Sequence, residues 1–163
     1  MNVTIRRGGV GDARAASDLW LAARKAASGT IPAPVHDDDD VRDWFRSHVV
    51  RACELWVAED DAGRLAGIMV LDADWVDQLY VDPRQTDRGI GGRLLAVAKR
   101  ERPRGLRLWT FQSNLGARRF YERHGFVETL RTDGRDNEER APDILYTYPG
   151  DSAPARASPE RGG

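Results

Sequence analysis

The chain has 163 residues, 25 of them basic and 26 acidic, for a formal net charge of −1. That length suits one domain with a real core and is short for two, and the charge balance provides no global field toward nucleic acid or an anionic membrane. No apolar run reaches the length of a membrane span, MNVTIRRGG lacks a signal-peptide core, and a lone Cys53 excludes an internal disulfide and argues against a zinc cluster; a soluble, cytoplasmic protein is expected, with Cys53 as a small buried apolar residue.

Val3 to Arg6 alternates and predicts a first strand; Asp12 then caps an alanine-rich helix through about Ala27. SGTIPAPVH breaks the pattern with two prolines, and Asp37 to Asp40 open a second helix in which Val41, Trp44, Phe45 and His48 recur at helical spacing. The run HDDDD looks like a metal cluster, but consecutive helical residues point about 100° apart and acids favour a helix start. It is a cap, and no metal site is expected.

From Glu54 the period changes to two: ELWVAED, a turn at Asp61 to Gly63, RLAGIMVLDA and WVDQLYV predict an antiparallel meander. A glycine-rich turn, TDRGIGG, leads into a helix that ends before Pro103; GLRLWTFQ is the next strand, and Asn114 to His124 a helix stopped by Gly125. FVETLR and DILYTY are the last strands, joined by the charged loop TDGRDNEERAP. The order β-α-α-β-β-β-α-β-α-β-β is α+β with a mixed sheet of about seven strands. It spans residues 1–149, and the tail 150–163, without large apolar residues, is expected to be disordered.

Gly89, Gly91 and Gly92 at a strand-to-helix junction let backbone N–H groups converge where the helix dipole is positive, a setting for an anion and most often phosphate. The turn lacks the Lys-Ser/Thr of a Walker loop, and Leu94 stands where a dinucleotide fingerprint needs glycine. Both of those nucleotide readings are excluded.

The turn TDRGIG, preceded by LYVDP, resembles the pyrophosphate motif of the GNAT superfamily of acetyl-coenzyme A dependent N-acetyltransferases. Asn114, Ala117, Tyr121, Gly125 and Phe126 match that family's second motif without a gap. The likeness covers roughly residues 2–148 and departs at one place, where the family's Gln or Arg is Thr86 and Gln85 stands one residue earlier. It implies acetyl-CoA as co-substrate, no metal, and backbone N–H groups of Asp87, Arg88, Gly89, Ile90, Gly91, Gly92 and Arg93 around the pyrophosphate. The pantetheine arm is then expected along Leu79, Tyr80 and Val81.

The resemblance further implies an amide of Leu79 or Val81 at the oxyanion and Tyr121, on one helical stripe with Asn114, as the acid that protonates the departing thiolate. The acceptor amine must shed a proton, since a lysine-like amine has a pKa of about 10.4. The family's glutamate positions hold Trp75 and Trp109, so no base carries over; Asp77, two residues from Trp75, is the nearest candidate, with water as the alternative. An aromatic acceptor pocket follows, and Glu138, Glu139 and Asp143 are candidates to read a cationic acceptor. The expected acceptor is an amine, on a small molecule rather than a protein; homodimerisation follows from family habit. The competing reading is an acyl-CoA binding or regulatory module without transfer activity.

Overall fold

A computed structural model describes residues 2–150; of the tail expected to be disordered, 151–163 lie outside the described residues. Seven strands form one sheet: β1 (Val3–Arg7), β2 (Glu54–Asp60), β3 (Leu65–Asp72), β4 (Trp75–Val81), β5 (Leu106–Phe111), β6 (Val127–Thr132) and β7 (Asp143–Tyr148). Their spatial order is β1-β2-β3-β4-β5-β7-β6, and only β4 and β5 run parallel. The helices are α1 (Ala13–Ala26), α2 (Asp38–Trp44), α3 (Val50–Ala52), α4 (Ile90–Glu101) and α5 (Leu115–Arg123). The α+β order read from the sequence is the order found.

Alternation along the strands divides the core into two layers. Leu55, Val57, Ile68 and Val70 face α1 and α2, meeting Leu19, Trp20, Val41 and Phe45. Trp56, Met69, Leu71 and Val76 face α4 and α5, meeting Leu94, Leu95 and Tyr121. Leu94 and Leu95 are wholly buried, each contributing roughly 1.5–3 kcal/mol.

Three local expectations change. Asp12 ends a 3-10 turn with helical dihedrals, so its carboxylate points back to the Gly9 N–H (2.8 Å) and to Arg6 rather than into α1. A π-turn over Phe45–Val49 follows α2 and puts Val49, wholly buried, on the apolar stripe in place of His48. His48 is exposed and stacks on Trp44. Cys53 is half-buried, its sulfur 3.7 Å from His48 Nε2, and desolvation raises its thiol pKa. The acidic run behaves as expected, with Asp37 accepting from the Asp40 N–H at 2.8 Å; the described residues contain no cluster able to hold a metal.

Candidate active site

β4 and β5 are joined by one residue pair, Trp75 with Arg107, reinforced by Arg107 N–H donating to the Asp74 carbonyl at 2.9 Å. Beyond it the strands part, and a cavity of about 510 Å³ opens between them. The pairing of β3 with β4 skips from Gln78 to Val76, so Asp77 is the extra residue of a β-bulge. The bulge bends β4 away from β5 and leaves its polar edge, from Asp77 onward, turned to the cavity rather than to a neighbouring strand.

Asn114, Ala117 and Tyr121 all line this cavity, as one helical stripe requires. Asn114 is also the N-cap of α5, its Oδ1 accepting from Ala117 N–H at 3.2 Å, so its amide orients the helix. Tyr121 is 9% exposed, packed against Phe120, Phe126 and Tyr146. Among the described residues none hydrogen-bonds its hydroxyl, and burial pushes the phenol well above its usual range. A neutral O–H donor therefore sits in the opening between the strands.

The glycine turn lies beside this cavity, not in its lining. Gly89, the N-cap of α4, has φ +74° with open space around it, which keeps its backbone approachable and the αL turn unstrained. Gly91 and Gly92 serve a second purpose: a Cβ there would lie 3.3 Å from the Phe120 ring and 3.1 Å from His124 Nε2, so α5 packs directly on the helix start. Asp87 (φ +64°), Thr86 and Arg88 are exposed around the turn, and Ile90 is buried beneath it. Arg93 is committed elsewhere: its N–H bonds the Gly89 carbonyl (3.0 Å) and its guanidinium the Val3 carbonyl (2.8 Å). Gln85 turns inward toward Asp60 and does not replace the missing side chain at Thr86.

On the α1 side, Asp77 and Gln78 both reach the cavity, their side chains 3.4 Å apart. Desolvation chiefly raises the Asp77 pKa, with Asp72 adding to it. Leu79 and Tyr80 line the cavity too, whereas Val81 faces Gly91. The expected aromatic pocket is half present: Trp109 lines the cavity, but Trp75 is covered by the Arg107 guanidinium at 4.2 Å. Of the loop acids, Glu139 lines the cavity and Glu138 pairs outside it with His36 (3.2 Å). Asp143 is held by Asn137 Nδ2 (3.0 Å) and the Thr132 hydroxyl.

The sequence profile of the acetyltransferase (GNAT) domain matches residues 51–128, from the end of α3 through the glycine turn and α5. Over those residues, a little under half of its length, the chain is similar to the GNAT family of acetyltransferases. It is 34% identical over 95 residues to the peptidyl-lysine N-acetyltransferase YjaB of Salmonella typhimurium, covering 58% of this chain and 65% of that protein, just under two thirds. The solution structure of apo YjaB from Escherichia coli superposes with a TM-score of 0.73 at 25% identity, covering 92% of this chain and 99% of that one. The PaiA N-acetyltransferase of Thermoplasma acidophilum, crystallised with coenzyme A, shares the fold with a TM-score of 0.67 at 19% identity over 91% and 99% of the two chains.

Within this GNAT fold the sequence reading missed Arg24, Gln78, Thr132, Asp136 and Asn137 on the cavity wall. They come from four separate segments and share no spacing. The setting of Asn137 shows only in the structure: Gly134 has φ +83° and no room for a Cβ against Ala141, so the loop folds back on itself. Asn137 closes it by bonding both Ala141 N–H and carbonyl.

Proposed function

We propose that the protein transfers an acetyl group from acetyl-CoA to a primary amine by direct attack in a ternary complex, with Tyr121 as the acid that protonates the departing thiolate. One observation carries this reading: a buried phenol without a protein hydrogen-bond partner lies in the opening where the polar edge of β4 runs free. The residues present fit the cofactor. The start of α4 offers orphan N–H groups at Gly89 to Gly92 to a pyrophosphate, with Thr86, Asp87 and Arg88 at the rim. Leu79, Tyr80 and Val81 offer backbone to the pantetheine arm, and Asn114 walls its inner end.

A phenol held neutral by desolvation keeps its proton through the physiological range. The same dry surroundings make an emerging thiolate more basic, so the proton passes from Tyr121 to sulfur with less penalty than the phenol's shift alone suggests. Asp77 receives the proton of the amine, directly or through water; its exposed carboxylate on the cavity wall at the bulge suits it to that role. The acetyltransferase domain is residues 1–149, acting in the cytoplasm on a small-molecule amine; among the described residues no helix is long and apolar enough to cross a membrane. The test is thiol release from acetyl-CoA across a panel of amines. Turnover on at least one amine is expected; tight acetyl-CoA binding with no release on any would leave a binding module and overturn the transfer reading.

A further inference from the structure

The acetyl-transfer reading leaves unused the one cationic residue among those that line the cavity. Arg24, in the last turn of α1, is 7% exposed and lines the cavity. Its guanidinium lies over the Trp20 ring at 5.0 Å, donates from Nη2 to the Pro32 carbonyl at 2.9 Å and from Nη1 toward the Tyr80 hydroxyl at 3.5 Å. Its Nε is buried without any partner. Arg6, Arg84, Arg102 and Arg107 each face a carboxylate at 3.0 Å or closer; no described carboxylate forms an ion pair with Arg24. A guanidinium taken out of water with neither counter-ion nor full hydrogen bonding is costly, and a cavity wall is where a ligand can supply both.

The anion is not the cofactor's pyrophosphate, because the glycine turn does not line this cavity and belongs to the α4 side of the sheet. Trp20 and Gln78 bond each other beside Arg24 (2.8 Å) and mark the α1 side, from which the acceptor must approach. The rest of that wall is acidic: Asp77, Asp136 and Glu139 line the same cavity. One cation and several carboxylates around one space suit a molecule carrying both signs.

We propose that the acceptor is an amine that also bears a carboxylate, an amino acid or a close analogue, with Arg24 and the Tyr80 hydroxyl holding the carboxylate and the acidic wall receiving the ammonium end. The assignment rests on the acetyl-transfer reading for its chemistry, though not for its binding. Arg24's planar fork suits a carboxylate bidentately, which a lysine cannot reproduce.

The experiment compares wild type, Arg24→Gln and Arg24→Lys on matched acceptors: amino acids, their carboxamides and the corresponding decarboxylated amines. For wild type we expect kcat/KM for the preferred amino acid to exceed that of its carboxamide by about 100-fold. Arg24→Gln should collapse that ratio to about tenfold or less, through KM rather than kcat, with Arg24→Lys between; acetyl-CoA affinity, set on the other face, should stay within about twofold. Equal wild-type turnover of all three acceptor types overturns the proposal. So does a matching loss of melting temperature in Arg24→Gln and Glu139→Gln with acceptor preference intact, which would make Glu139 the counter-ion. If no amine is acetylated, the transfer reading fails separately, and calorimetry on the acetyl-CoA-loaded protein still decides: amino-acid binding by wild type that Arg24→Gln loses supports the site, and its absence in both overturns it.

Discussion

The two faces of the sheet present different materials around the parting of β4 and β5. On the α4 side, the binding surface is backbone: a left-handed Gly89, a helix start, and an unpaired edge of β4. On the α1 side it is side chains, Arg24, Asp77, Gln78 and Glu139, gathered from a helix, a bulged strand and the β6–β7 loop. Backbone cannot change its chemistry when residues are substituted, whereas side chains can. The contrast suits a protein that holds one constant co-substrate on one face and a selected acceptor on the other.

Tyr121 stands where the faces meet, and its removal should give the largest effect. Tyr121→Phe keeps the ring contacts with Phe120 and Phe126 and deletes only the proton donor; kcat should fall about 100-fold with acetyl-CoA affinity retained. Full turnover in the variant, with chemistry shown to be limiting, would move the acid elsewhere. The backbone face is probed by Gly89→Ala. Space is free around Gly89, so the only cost is its φ of +74°, worth about 1–2 kcal/mol. Acetyl-CoA binding should weaken by about tenfold while the ranking of acceptors stays the same; a changed ranking would mean the faces are not independent.

What was legible in the sequence follows the same division. The strand and helix order and the glycine turn could be read because backbone conformation leaves local marks: period-two runs, Gly89 at a junction, Asn114 ahead of a stripe ending at Tyr121. The bulge at Asp77 leaves no such mark, since it appears only when β4 is set against β3. Arg24 was hidden in an alanine-rich helix among 24 other basic residues, and only the splay of β4 from β5 makes it a wall of the cavity. Trp75 is expected in the pocket because it stands at one of the family's glutamate positions; Arg107, from the neighbouring strand, covers it. The π-turn was equally silent, and with it the exchange of Val49 for His48.

Asp77→Asn tests whether the α1 face also does chemistry. Desolvation raises the Asp77 pKa, so the folded state favours the protonated form. The sign follows: stability is greatest below the unfolded pKa and declines as pH rises through the folded one, leaving a cost at neutral pH. Asparagine removes that cost, so the variant should melt no lower than wild type at pH 7. If Asp77 takes the amine's proton, the same substitution lowers kcat/KM by about tenfold or more and removes an acid limb displaced upward from the usual carboxylate range. A variant that keeps that limb returns the role to water.

The smallest effect is expected where the two halves of the sheet are joined. Arg107 donates to both oxygens of Asp74 at 2.9 Å, and the pair is about half exposed, so Asp74→Ala should cost at most about 1 kcal/mol of stability. Arg107 holds the Asp74 carboxyl below its usual range; the pair's contribution is present above the unfolded pKa of about 3.9 and is lost as pH falls through the folded value. The difference in melting temperature between wild type and variant should therefore shrink in acid and in high salt. Yet this pair sits at the only residue pair between β4 and β5, where a small loosening changes the angle at which the strands part. The acceptor KM should then respond more than stability does, because the side chains on the α1 face need their spacing. A backbone cradle formed within one turn does not, and acetyl-CoA affinity should be the quantity least disturbed.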